Sequence, residues 1–279
     1  MVKEIVVAEK AGFCFGVKRA VDAIEDALAE SGALWSIGMP IHNLQEVTRL
    51  RAMGLKVAEN VDEVPGEARV LIRAHGESKA VMEVLAARGT QIIDTTCPFV
   101  HRAQKYVEEF SSLGYAVVLL GDGRHPEIRA MMGYAKESID VVESAEEAER
   151  LPKRPRVVLI SQTTQREDLL TSVAATLIPR VGELHVCNTI CRATLERQSA
   201  VRRLVGKVNG LLLIGGRNSA NTAKLRDIAE AGGLDVLWIE TPSELGRGWF
   251  EGKNRIGVAA GASTPQWLIN EICSEIARM

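Results

Sequence analysis

The sequence is poor in aromatic residues, lacks a C-x-x-C motif and contains no long hydrophobic run. Aromatic side chains make up 4% of the 279 residues, which does not favour a platform for stacking nucleobases. No stretch approaches the roughly 20 apolar residues of a membrane span, and the N-terminal residues do not resemble an export signal. The net charge is -2 and no run of Lys and Arg stands out, so we expect neither a membrane nor nucleic acid as partner.

Five cysteines occur in a chain for which we expect no export signal. This combination indicates a reducing compartment, the cytoplasm, in which cysteines serve as thiols, metal ligands or catalytic groups rather than as disulfides. Without a C-x-x-C pair, the spacings typical of zinc ribbons and ferredoxins are excluded.

Short apolar runs rich in Val, Ile and Leu alternate with helical patterns along the chain. Because the runs do not alternate with polar residues, they predict strands buried on both faces of parallel sheets, and therefore an α/β fold. Ligands of such folds bind at the carboxyl ends of strands, where polar residues follow the runs here. The runs lie at 69–76, 115–121, 156–162, 210–216 and 255–261, and the helical patterns lie at 17–30, 79–87, 98–113, 192–206, 222–231 and 265–278.

Three of the cysteines are evenly spread and share a context. Cys14, Cys97 and Cys191 lie 83 and 94 residues apart, and each comes just before a helical pattern. The spacing predicts three units with one cysteine each. A helix N-terminus favours the thiolate form of cysteine, which is the form that binds iron.

The residues alone leave other readings of the cysteines open. A cysteine is often a small buried apolar residue, and Cys273 in the last helical pattern fits that role. Cys187 precedes Cys191 by four residues, and both could face a site.

The strand-end loops carry most of the polar residues that could do chemistry. His42, His75 and His125 lie in loops bounded by Gly or Pro, which indicates anion binding or proton chemistry. Glu127 is the best acid/base candidate, since burial would raise the pKa of its carboxyl group. Ser219, Asn221 and Ser263 would either cap helices or bind an anion through the same exposed N–H groups.

Nine short motifs occur in one order along the chain, and together they resemble the IspH/LytB family of 4-hydroxy-3-methylbut-2-enyl diphosphate reductases. The resemblance extends from about residue 10 to about residue 270. Ala220 departs from it, since some members carry a second serine there. The motifs are GFCFGVKRAV (12–21), HN (42–43), AHG (74–76), TCPFV (96–100), HPEIRAMMGY (125–134), SQTT (161–164), ICRAT (190–194), RNSANT (217–222) and GAST (261–264).

The resemblance implies three similar α/β units with mainly parallel sheets, arranged pseudo-threefold around a central iron–sulfur cluster. The units would span 14–97, 98–190, and 191–279 together with 1–13. The family's cluster ligands fall on Cys14, Cys97 and Cys191, which leaves Cys187 outside the ligand set. One [4Fe-4S] cluster per chain is expected, with the substrate hydroxyl bound to the iron that lacks a protein ligand.

The resemblance also implies the reaction and the roles of the polar residues. The reaction is reductive dehydroxylation of (E)-4-hydroxy-3-methylbut-2-enyl diphosphate to isopentenyl and dimethylallyl diphosphate, the last step of the non-mevalonate isoprenoid pathway. Electrons would come from a carrier such as ferredoxin or flavodoxin, since no nucleotide-binding motif is evident. The catalytic positions are Glu127, Thr163 and His125. The substrate-binding positions are His42, His75, His125, Thr163, Ser219, Asn221 and Ser263.

Two other functions remain compatible with these residues. A mononuclear metal hydrolase acting on a phosphorylated small molecule could use His42, His75, His125 and Glu127, with cysteines that are only structural. A non-catalytic iron–sulfur redox sensor would have a cluster but no diphosphate pocket.

Overall fold

The computed structural model describes residues 2–137 and 139–278. Twelve strands and ten α-helices lie in these two ranges. The strands are β1 (Glu4–Val7), β2 (Leu34–Ile37), β3 (Leu55–Ala58), β4 (Arg69–Ile72), β5 (Gln91–Asp94), β6 (Ala116–Leu120), β7 (Ile139–Val142), β8 (Arg154–Ser161), β9 (Val181–Cys187), β10 (Gly210–Ile214), β11 (Val236–Ile239) and β12 (Arg255–Ala260). The helices are α1 (Phe15–Ser31), α2 (Leu44–Ala52), α3 (Lys79–Ala87), α4 (Pro98–Ser112), α5 (Pro126–Met132), α6 (Ala145–Glu149), α7 (Glu167–Leu177), α8 (Arg192–Arg202), α9 (Ala220–Ala231) and α10 (Gln266–Arg278).

The strands form three four-stranded sheets with one common topology. Their orders are β3-β2-β4-β5, β7-β6-β8-β9 and β11-β10-β12-β1. Every pairing between the described strands is parallel. The α/β class with three similar units is therefore confirmed. The bounds of the units and their arrangement around a cluster stay predictions.

The chain divides into two compact units. We call the first the terminal unit, because it contains the residues up to Asp22, Ile41–Gly54 and the residues from Arg192 onward. It carries the sheet in which β1 joins the C-terminal strands. The second, the middle unit, contains Ala23–Pro40 and Leu55–Cys191 and carries the other two sheets.

The central strand of the terminal unit shows why its sequence is apolar throughout. Side chains of a strand point alternately to the two faces of the sheet. In β10, Leu211 and Leu213 pack in a core with α8 and α9, whereas Leu212 and Ile214 pack in a second core with α10. Both faces of β10 are therefore covered, as the unbroken apolar run predicts.

In the middle unit, β6 is also an apolar strand whose residues are almost all buried. Leu119 is fully buried, and it belongs to a core with Val158 of β8, Ile128 and Met131 of α5, and further residues of α4. The core therefore holds α5, and with it the residues at the start of this helix, against the sheet.

No helix of residues 2–137 and 139–278 combines the length and the apolar character that crossing a membrane requires.

We expect Leu119→Ala to lower the free energy of unfolding by about 2–5 kcal/mol, because it leaves a cavity in a close-packed core. Leu113→Ala is the matched control, since Leu113 is 58% exposed and should cost about 0.5 kcal/mol or less. Chemical denaturation of both variants measures the difference. Equal losses of stability would contradict the placement of Leu119 in the core.

Candidate active site

Each of the three cysteines that the sequence singles out stands immediately before a helix. Cys97 is the N-cap of α4, while Cys14 directly precedes α1 and Cys191 directly precedes α8. All three are half-buried. At the start of α1, the N–H of Val17 donates to the sulfur of Cys14 over 3.5 Å. The N-terminus of this helix therefore faces the thiol.

One backbone hydrogen bond recurs at all three cysteines. Each of the three cysteines lies in the loop after an edge strand. Its N–H donates to a backbone carbonyl in the loop after the neighbouring inner strand of the same sheet. The acceptor loops are those that carry His75, Thr163 and Ser263. The bonds, each 3.0 Å long, join Cys97 to Ala74, Cys191 to Thr163, and Cys14 to Ala262.

The other two cysteines differ from these three. Cys187 is the last residue of β9 and packs against the core of its sheet, while Cys273 lies on α10 and packs against the core that this helix covers. Burial raises the pKa of both thiols, which keeps them protonated. Neither stands before a helix, so the structure favours a packing role for both.

The three half-buried thiols fit an iron–sulfur cluster by the chemistry of their donor set. Iron–sulfur clusters are held by cysteine thiolates, and soft sulfur ligands favour them. The cysteines are thiols rather than disulfides throughout the described chain. Each of the three sulfur donors stands at the start of a helix.

Glu127 and Thr163 form a buried pair in the middle unit. The backbone N–H of Thr163 donates to Oε1 of Glu127 over 2.6 Å, and the Thr163 hydroxyl donates to Oε2 over 2.8 Å. Glu127 is 2% exposed. Burial raises the pKa of its carboxyl group to about 7, although both hydrogen bonds from Thr163 act to lower it. This carboxyl group can therefore hold or release a proton near neutral pH.

His125 is the N-cap of α5, and its ring Nδ1 accepts the N–H of Glu127 over 3.1 Å. Burial lowers the pKa of His125 to about 4, with a smaller lowering by Arg73, while Asp122 acts to raise it. The ring is therefore neutral near pH 7. Because Nδ1 accepts, the single ring proton lies on Nε2, which makes this nitrogen a hydrogen-bond donor.

His75 lies beside His125 in the middle unit. The two rings meet edge to face, with 5.3 Å between their centroids. His75 stands in the turn after β4, which closes when the N–H of Gly76 donates to the carbonyl of Arg73 over 2.9 Å. Gly76 has φ +75°, and a Cβ there would lie 2.4 Å from Nε2 of Gln104. Only glycine fits this turn, which brings Gln104 against it.

Gln104 is a residue that the sequence analysis missed. It lies on the buried stripe of α4 and is 1% exposed, and neither its Nε2 nor its Oε1 has a hydrogen-bond partner among the described residues. A buried amide without partners is costly, so a group outside the protein is expected to bind it. In the sequence, a polar residue among the apolar positions of the helical pattern at 98–113 could have identified Gln104 as a candidate.

In the terminal unit, Ser219 and Asn221 lie at the start of α9. Ser219 is the N-cap, and its hydroxyl accepts the N–H of Thr222 over 3.3 Å. Asn221 is 5% exposed, and its Nδ2 has no partner in the described part of the chain. An amide N–H group at a helix N-terminus, buried and without an acceptor, is suited to binding an anion.

His42 and Ser263 belong to the same unit as Ser219. A Cβ at Gly216, three residues before Ser219, would lie 2.4 Å from the carbonyl oxygen of His42, so the two loops are in close contact. Ser263 is 7% exposed, and its neighbour Thr264 donates its hydroxyl to the carbonyl of Ile214 over 3.0 Å. The terminal unit therefore brings His42, Ser219, Asn221 and Ser263 to one edge of its sheet.

The two histidines that received no site role make local contacts. His101 Nε2 lies 3.4 Å from Asp94, and His185 Nε2 lies 2.9 Å from Glu183. Both histidine side chains are 46% exposed.

Comparisons with known proteins agree over nearly the whole chain. A sequence model described as LytB protein matches residues 5–277. Two relatives are named 4-hydroxy-3-methylbut-2-enyl diphosphate reductase. The one from Geobacter sulfurreducens is 43% identical over 273 residues, covering 98% of this chain and 96% of the relative. The one from Campylobacter hominis is 40% identical over 277 residues, covering 99% of each.

Two solved structures are similar as well. One is named (E)-4-hydroxy-3-methyl-but-2-enyl diphosphate reductase, the terminal enzyme of the non-mevalonate pathway. It is 40% identical, with a TM-score of 0.71 over the whole of both chains. The E-1-hydroxy-2-methyl-but-2-enyl-4-diphosphate reductase from Plasmodium falciparum is 24% identical, with a TM-score of 0.93 over 99% of this chain and 89% of its own, which supports the fold. The chain therefore belongs to the LytB family.

Proposed function

We propose that this chain reduces (E)-4-hydroxy-3-methylbut-2-enyl diphosphate to isopentenyl diphosphate and dimethylallyl diphosphate, the last step of the non-mevalonate pathway. The observation that carries the proposal is the buried Glu127–Thr163 pair, whose carboxyl group has a pKa of about 7. It occurs in a chain 43% identical to a named reductase over 98% of its length.

Cys14, Cys97 and Cys191 would hold a [4Fe-4S] cluster. Three cysteines leave one of four irons without a protein ligand. When bound, the cluster would supply electrons and a Lewis-acidic iron. The recurring hydrogen bond from each cysteine N–H fixes the backbone of these ligands relative to the loop beside it.

The protein's own acid would be Glu127. Overall, the substrate takes up two electrons and two protons, its C–O bond breaks, and the hydroxyl group leaves as water. Glu127 would donate the proton that converts the hydroxyl group into water, a better leaving group than hydroxide. Thr163 holds both carboxyl oxygens, and His125 is fixed beside them by its bond to the N–H of Glu127.

The diphosphate would be bound by neutral donors. The donors would be His42, His75, His125, Thr163, Ser219, Asn221 and Ser263. Helix N-termini with exposed N–H groups bind phosphate without requiring Lys or Arg. The buried Nδ2 of Asn221, which has no partner among the described residues, supports this assignment.

The electron donor would be an external carrier such as ferredoxin or flavodoxin. The cytoplasmic location also stays a prediction, which rests on the use of five cysteines.

Anaerobic purification, analysis of iron and sulfide, and an assay with the hydroxymethylbutenyl diphosphate and a chemical reductant test the proposal. We expect brown protein that produces both isomeric diphosphates. Colourless protein with zinc and hydrolytic activity in air would instead identify a metal hydrolase. A cluster without turnover or diphosphate binding would identify a redox sensor.

We expect Ser in place of Cys14, Cys97 or Cys191 to reduce the iron content strongly, because each change removes one thiolate ligand. Cys187→Ser and Cys273→Ser are matched controls that should retain iron, since these thiols pack in cores. Iron and sulfide analysis of the five variants gives the measurement. Retention of the full iron content by any of the first three would remove that cysteine from the ligand set.

We expect Glu127→Gln to lower kcat by about 100-fold or more while the iron content stays unchanged, because the amide cannot donate an acidic proton. Glu149→Gln, on the exposed surface of α6, is the control and should keep the wild-type rate. Steady-state turnover and iron content, measured on the same preparations, test this expectation. A near-normal rate for Glu127→Gln would exclude Glu127 as the acid.

We expect the rate to fall as the pH rises through about 7, because Glu127 must be protonated to act as an acid. Thr163→Val removes a hydrogen bond that lowers the pKa of Glu127, so the fall should move to higher pH by roughly one unit. Thr163→Ser retains the hydroxyl and should keep the wild-type profile. A Thr163→Val profile that is unmoved, or moved to lower pH, would contradict this role of the hydroxyl.

A further inference from the structure

Glu46 is a buried carboxylate that the proposed mechanism does not use. It lies in the first turn of α2, in the terminal unit, and is 1% exposed. The segment that it follows carries His42, and Asn43 is the N-cap of the same helix. Asn43 Oδ1 accepts the N–H of Glu46 over 2.9 Å, so the backbone of Glu46 is tied to the residue next to His42.

The Glu46 carboxylate binds two side chains, one of them distant in sequence. Its Oε2 accepts the indole N–H of Trp267 over 2.9 Å, and Arg49 donates to both of its oxygens. Trp267 is the second residue of α10, the helix that follows Ser263. Trp267 is 43% exposed, yet the only polar group of its side chain donates in this contact.

The contact therefore connects two segments that both carry proposed diphosphate ligands. On the other side of His42, Gly216 packs so closely against the His42 carbonyl that a Cβ would lie 2.4 Å from it. The backbone of His42 is thus held between the loop after β10 and the first turn of α2. A shift of α2 would move His42 away from the position at which it meets that loop.

We propose that Glu46 and Trp267 are positioning residues for diphosphate binding, and that their hydrogen bond sets the distance between the His42 and Ser263 segments. The inference rests on the proposed function, because the ligand roles of His42 and Ser263 belong to it. Hydrogen bonds to charged groups are among the strongest in proteins, and Glu46, the acceptor in this one, is 1% exposed. Neither residue belongs to the proposed acid or cluster ligands.

The proposal predicts a loss of affinity without a loss of chemistry. A contact that serves only binding raises KM and leaves kcat unchanged when it is removed. Small errors in the position of a binding group have large effects, so we expect an increase in KM of about tenfold.

Trp267→Phe removes the indole N–H and retains an aromatic ring. Glu46→Gln is the second variant, since one amide oxygen replaces the two oxygens that accept three N–H groups. Trp35→Phe, at a half-buried tryptophan of β2, is the matched control. For each purified holoprotein we would measure kcat, KM, iron content, Tm and the affinity for inorganic diphosphate by calorimetry.

The expected result is a KM about tenfold higher and a correspondingly weaker diphosphate affinity in both variants, with kcat, iron content and Tm close to those of the wild type and of Trp35→Phe. The double variant should be no weaker than the worse single variant, because one contact is removed in both. Wild-type KM and diphosphate affinity in both single variants would overturn the proposal, as would a fall in kcat together with Tm, which indicates a general structural role.

The two proposals fail in different ways. Wild-type protein that binds inorganic diphosphate but does not turn over the substrate would overturn the proposed function, while weaker diphosphate binding by the variants would still support the positioning role. Wild-type protein that neither turns over nor binds diphosphate would overturn both.

Discussion

A single backbone hydrogen bond, repeated three times, connects the cysteines to the rest of the site. In each sheet it runs from a cysteine N–H at the end of an edge strand to a carbonyl at the end of the neighbouring strand. Parallel pairing makes this possible, because all carboxyl ends of a parallel sheet lie at one edge. The loop that accepts the bond also carries His75, Thr163 or Ser263. A displaced loop would therefore move a proposed cluster ligand and a proposed substrate ligand together.

The polar groups at these edges differ in their hydrogen-bond partners and in their pKa values, and these differences suit different roles in the proposed site. Glu127 has both oxygens bound by Thr163, yet burial outweighs these bonds and keeps its pKa near 7. Burial lowers the pKa of His125 instead, so its ring is neutral near pH 7 and can donate a hydrogen bond. The same loss of solvent thus favours the protonated acid and the uncharged imidazole. Asn221 and Gln104 instead keep buried amide groups without partners among the described residues, as expected of groups that bind something outside the protein.

The sequence predicted five of the six inner strands, all except β2, and most long helices, because an unbroken apolar run or a wide helical stripe indicates burial directly. The pattern at 79–87 coincides with α3, and the run at 210–216 contains β10. Short edge strands such as β3 and β5 were missed, since a strand of four residues carries little periodic signal. Asn43, Glu46 and Trp267 were not singled out either, as their contacts join residues up to 221 positions apart. The roles of the predicted site residues still depend on the family resemblance.

We predict that the buried carboxyl group of Glu127, in the first turn of α5, stores a proton near neutral pH. Difference infrared spectroscopy of wild-type protein and Glu127→Gln, recorded from pH 5 to pH 9, observes that proton directly. We predict a carbonyl stretching band of a protonated carboxylic acid in the wild type that is absent from the variant and disappears with a midpoint near pH 7. A Glu127 carboxyl group that is already ionised at the lower end of this range would contradict the claim.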